Sequence, residues 1–146
     1  PRDWSGFEWP AGSEVWRVAM LAWWALLVVT GFLAFQPDWL DRLKFTQGLV
    51  AHSHLAMAGF TTSFCGLLLV LLSGRRLGGW RSLVVWHGAA LLMVLALAFG
   101  GWREGGGYSW MVETPLWRES VFAIRALCGA AMAGVSVVWL KEWRKS

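Results

Sequence analysis

Charge is scarce in this sequence: only 15% of its 146 residues are Asp, Glu, Lys or Arg, while 57% are hydrophobic. With a mean hydropathy of +0.49, the composition excludes a disordered or nucleic-acid-wrapping chain. The net charge of +4 forms no basic stripe, because the basic residues sit between long apolar runs, so nucleic acid is excluded as a partner. Cysteine is nearly missing too. Cys65 and Cys128 have no CxxC partner, which argues against a redox motif or a zinc site and leaves them as small packing residues. Histidine occurs three times. There is no low-complexity tract, no internal repeat, and no cleavable signal peptide is expected, since the first apolar run is too long and lacks a small-residue cleavage site. A soluble domain this short buries the smallest share of its surface. The solvent is therefore lipid.

Four apolar stretches stand out. Residues 18–35 carry no charge, 45–72 hold only His52 and His54 as ionisable side chains, 82–102 only His87, and 120–140 only Arg125. At ~1.5 Å rise per residue, about 20 residues cross the ~30 Å hydrocarbon core. The expectation is an all-α integral membrane four-helix bundle in one domain, with helices at about 15–36, 45–73, 80–102 and 116–141. Pro37 stops the first helix, a glycine-rich basic turn over 73–79 separates the second from the third, and a longer loop ends at Thr114-Pro115. Most of the 13 Lys and Arg residues fall in the N-terminal tail, second loop and C-terminal tail. The positive-inside rule then predicts cytoplasmic termini and a multi-pass protein of the inner (cytoplasmic) membrane. The 13 tryptophans read as interfacial anchors.

Ionisable residues within hydrocarbon are costly and mark candidate sites. His52 and His54 lie two apart, so at ~100° per residue they project ~200° apart and cannot grip one metal together. They serve two flanks of the second helix instead. Gly48, Ala56, Gly59 and Ser63 fall near the face of His52, a groove of small residues that admits a close helix or a flat macrocycle. Imidazole is the usual axial ligand of haem iron, with hydrogen bonding across helices as the other reading. Arg125 shares their leaflet. Its anionic partner is either a haem propionate or one of Glu113 and Glu119. His87 lies ~15 Å or more away in height and is expected to have a packing or interfacial role.

Lys44-Phe45-Thr46 leading into Ala51-His52-Ser53-His54-Leu55-Ala56, then Gly59, resembles the tenth helix of the catalytic subunit of cbb3-type cytochrome oxidases, and a similar stretch of the nitric oxide reductases. Phe99-Gly100-Gly101 resembles the end of that family's eleventh helix, and residues 121–129 its twelfth. The resemblance covers almost the whole chain. It implies haem b as cofactor, with His52 on a high-spin and His54 on a low-spin haem as metal ligands. Arg125 would then lie near the haems, with Ala56 and Gly59 lining the site.

The family's subunit has about twelve helices, however, and its second metal is held by helices with no counterpart here. No copper and no self-sufficient oxidase activity are therefore expected. The implied function is an electron-transfer cytochrome. The length, about a third of the family subunit, argues for assembly with other chains: a homo-oligomer, with a trimer favoured by the family's pseudo-threefold arcs, or other membrane redox subunits. A split oxidase or reductase subunit, a haem-based gas sensor and a haem-free scaffold are the alternatives.

Overall fold

The computed structural model describes residues 6–107 and 115–145. Among them the chain is helical: α1 (Ser13–Ala34), α2 (Pro37–Leu43), α3 (Gln47–His54), a π-helical segment (Leu55–Thr61), α4 (Thr62–Ser73), α5 (Trp80–Glu104) and α6 (Leu116–Lys145). Four spans are long and apolar enough to cross a membrane, at Ser13–Ala34, Gln47–Ser73, Trp80–Glu104 and Leu116–Arg144. The protein is thus a multi-pass membrane protein, close to the bounds expected. Pro37 does end the first span, but it then opens a short helix of its own at the N1 position, where its missing N–H is no loss. Gly74, at φ 67°, turns the chain out of α4 in the left-handed conformation that glycine adopts without a Cβ penalty.

The spans pack in chain order as a curved row. The first lies on the second, the second on the third, and the third on the fourth, while α1 and α6 share at most a marginal backbone contact. What joins the row into a unit is tryptophan. A Cβ at Gly59 would overlap the Trp23 indole, and one at Gly66 would overlap the Trp16 indole. Both pairs are seven residues apart, so two rings of α1 sit in two glycine notches of the antiparallel second span. Trp16 is fully buried and Trp23 is 6% exposed.

Four indole N–H groups then tie the helices together. Trp16 donates to the Leu77 carbonyl at 3.1 Å, Trp23 to His87 Nδ1 at 3.0 Å, Trp86 to the Ala58 carbonyl at 3.0 Å and Trp139 to Ser82 Oγ at 2.9 Å. Trp16 and Trp139 meet edge to face at 5.4 Å, bridging the two ends of the row. Interfacial anchoring therefore does not account for these four tryptophans. A buried indole donates one hydrogen bond while filling a large volume, which suits a helix contact in lipid, where packing and interhelical hydrogen bonds drive association. His87 has the packing role expected of it. It lies between Trp16 and Trp23, both at 6.2 Å, and its buried Nε2 has no hydrogen-bond partner among the described residues.

Candidate functional site around the second span

The histidines lie at the start of the second span, where several devices fix the backbone. Thr46 caps α3, its hydroxyl accepting from Gly48 N–H at 3.1 Å. The Glu104 carboxylate of α5 accepts the Gln47 N–H at 2.7 Å, and its other oxygen accepts the Gln47 amide at 2.9 Å. A carboxylate at a helix N-terminus is stabilised by the unpaired N–H groups and dipole there. Gly101 and Gly48 let α5 and α3 approach backbone to backbone at this level.

Directly after His54 the helix widens into the π segment. The sequence pattern carries no signal for it, because its i→i+5 bonding depends on what packs outside. Ser63 Oγ bonds the Gly59 carbonyl at 2.7 Å and Thr62 Oγ1 the Met57 carbonyl at 3.1 Å, while the Ala58 carbonyl serves Trp86. Neighbours thus satisfy groups that the widened turn disturbs, and π segments of this kind recur at functional sites.

The two histidines do part to different surroundings. His52 lies against α1: its Nδ1 is 3.2 Å from Thr30 Oγ1, and a Cβ at Gly31 would stand 3.3 Å from its Cε1. Thr30 donates its single proton to the Leu26 carbonyl at 2.7 Å, so it is an acceptor toward the ring. The Nδ1 of His52 therefore carries a hydrogen, and in the neutral ring the lone pair is on Nε2. His54 turns back onto its own helix, where Nδ1 meets the Val50 carbonyl at 2.9 Å. A carbonyl only accepts, so His54 too carries a proton on Nδ1, and in the neutral ring the lone pair is on Nε2. This is the tautomer that metal-ligating histidines adopt when the second nitrogen is held by a carbonyl.

His52 also lines a cavity of ≈ 210 Å³ between α1, α2, α3 and α5. That is below the roughly 300 Å³ at which sites for larger ligands begin, so the cavity does not enclose a macrocycle. Of the small residues expected to form a macrocycle groove, Gly59 is buried and its notch is filled by Trp23, so the close-helix alternative is realised there. Ala56 remains half-buried. Cys128 is packed in the core as expected, whereas Cys65 is exposed on the outside of the row.

Arg125 reaches Gln47 Oε1 at 3.5 Å, and its guanidinium lies 5.4 Å from the Phe122 ring. Gln47 starts the helix on which His52 stands five residues later, about 7.5 Å along the axis, so the arginine and the histidines lie in the same half of the second span. The carboxylate behind Arg125 is Glu104, relayed by Gln47. Glu119 is exposed on the same helix, and Glu113 lies outside the described residues. Gln47 and Glu104 escaped the sequence reading because each sits at the edge of an apolar stretch, where polar residues usually meet solvent. Among the described residues no group of three or more His, Cys, Asp or Glu side chains is placed to hold a metal ion. A haem iron asks less of the protein, since one or two imidazole nitrogens suffice. In comparisons with protein-family models, curated proteins and solved structures, no match to this chain is found.

Proposed function

We propose that this protein is a membrane-embedded b-type haem protein that transfers electrons, with His54 Nε2 as axial ligand on a face covered by a second copy or another membrane redox subunit. The observation that carries the reading is the tautomer of His54. Its Nδ1–H is tied to the Val50 carbonyl, which leaves a basic Nε2 on a residue that makes no other described hydrogen bond. His52 has the same protonation, but its ring rests on α1 beside a cavity too small for a porphyrin, so it ranks behind His54 as a ligand. Arg125, in the same half of the span, is available to a propionate. Bound haem supplies one-electron exchange between ferrous and ferric iron. The chain's own residues orient the imidazole and hold its proton on Nδ1. The spans exclude water. The excess of Lys and Arg in the N-terminal tail, second loop and C-terminal tail supports an orientation with both termini on the cytoplasmic side.

The test is the reduced-minus-oxidised visible spectrum and haem-to-protein ratio of protein purified from haem-replete cells. A b-type spectrum is expected in the wild type and in His52→Ala, with loss of haem in His54→Ala. Full haem content in His54→Ala, or a colourless wild type, overturns the reading. Carbon monoxide binding to the reduced protein would identify an open coordination position and so a gas-binding rather than an electron-transfer protein.

A further inference from the structure

The cavity beside His52 has its own chemistry, separate from haem ligation at His54. Its walls are apolar, including Leu33, Ala34, Leu43, Leu55 and Val94, and its only polar side chains apart from indoles are Thr30 and His52. Thr30 is occupied, donating to Leu26 and accepting from His52 Nδ1. Apart from the indole N–H groups of Trp39 and Trp102 at the border, the polar group left over is the lone pair on His52 Nε2, for which the described residues supply no donor. An acceptor set among apolar walls is complementary to a molecule that is apolar except for a single donor.

Volume and neighbours narrow the class further. A cavity of about 150 Å³ takes benzene, and ≈ 210 Å³ leaves room for a ring with one or two small substituents. Trp39 and Trp102 border the cavity with ring centroids 5.4 Å apart, presenting aromatic surface that favours offset or edge-to-face contact with another ring. The Arg42 guanidinium lies 3.7 Å over Trp102, which disfavours a cationic ligand at that border. Apolar walls disfavour an anion. A ligand that offers only a carbonyl or ether oxygen gains nothing from His52, because acceptor would face acceptor.

We infer that this cavity is a binding site for a small neutral phenol, whose ring fills the space between α1, α3 and α5 and whose O–H donates to His52 Nε2. The contact is a hydrogen bond with no covalent step. Thr30 is a positioning residue, since by accepting from Nδ1 it keeps the lone pair on the other nitrogen.

Three probes in lipid nanodiscs test this. With histidine labelled in ¹⁵N, 4-methylphenol is expected to shift the Nε2 signal of one of the three histidines, and 4-methylanisole, the same ring without the donor, is expected to leave it unmoved. The phenol should bind about tenfold more tightly than the ether, and that ratio should fall to near one in His52→Leu. Ala98→Phe, at an exposed cavity-lining position, should weaken both ligands. If His52→Leu fails to fold, Thr30→Val supplies the second reading through a reduced phenol-to-ether ratio. Equal binding of phenol and ether to the wild type, a shift that persists in His52→Leu, or no effect of Ala98→Phe overturns the inference. None of these measurements depends on haem, so failure here and failure at His54 are told apart.

Discussion

Replacing Trp23 with phenylalanine removes the indole N–H that His87 Nδ1 accepts at 3.0 Å. It also leaves a gap in the notch over Gly59, since the six-membered ring alone cannot fill the space the indole occupies. The gap costs about 1–2 kcal/mol. The hydrogen bond adds about 0.6 kcal/mol on average for such pairs in membranes, up to ~1.7, so a total loss of about 2–3 kcal/mol is expected. The pairwise part is isolated by adding His87→Leu. His87 Nε2 has no hydrogen-bond partner among the described residues, so leucine relieves that group equally in either background and its contribution cancels in the cycle. The double variant should therefore be about 0.6–1.7 kcal/mol more stable than the sum of the two single losses predicts. Reversible unfolding by sodium dodecyl sulfate in mixed micelles, followed by circular dichroism, measures all four proteins. Additivity within about 0.3 kcal/mol would refute the claim that this bond couples α1 to α5.

The remaining predictions address other contacts. Gly59→Ala and Gly66→Ala should each destabilise by about 1–3 kcal/mol through overpacking against Trp23 and Trp16; Gly129→Ala, where a Cβ meets nothing within 4 Å, should be near neutral in the same assay. Glu104→Gln keeps the shape but weakens two accepted hydrogen bonds at the start of α3. It should cost about 1–3 kcal/mol and increase amide exchange of Gln47 and Gly48. Protection unchanged from wild type would exclude Glu104 as a stabilising acceptor at the start of α3.

The number of spans was legible because a membrane span is a local property: about 20 apolar residues in a row need no partner to be recognised. The turn at 73–79 was legible for the same reason, as glycine and charge cannot continue an apolar helix. The opposed projection of His52 and His54 followed from helix geometry alone, and the structure puts them in different surroundings. That Arg125 lies in the same half of the bundle as the histidines followed from counting residues. Its partners did not, because Gln47 and Glu104 come from two other helices and their meeting depends on how α3, α5 and α6 are arranged. The groove reading at Gly59 went only halfway. Small residues on a face announce a close approach without saying what approaches, and at Gly59 the visitor is Trp23.

By itself, then, the sequence determined the solvent, the four spans, their connections and the short roster of ionisable side chains among them, since each of these rests on hydropathy and local periodicity. Tertiary structure decided the rest. It set the order of the row, the use of four tryptophans as cross-links, the π segment after His54, the Gln47–Glu104–Arg125 relay and the cavity at His52. The physical reason is common to all of these. In lipid every span is apolar on all sides, so pattern cannot say which face meets which neighbour. That choice is made by shape, by where a glycine admits an indole, and by which buried N–H finds a carbonyl or an imidazole across the helix boundary.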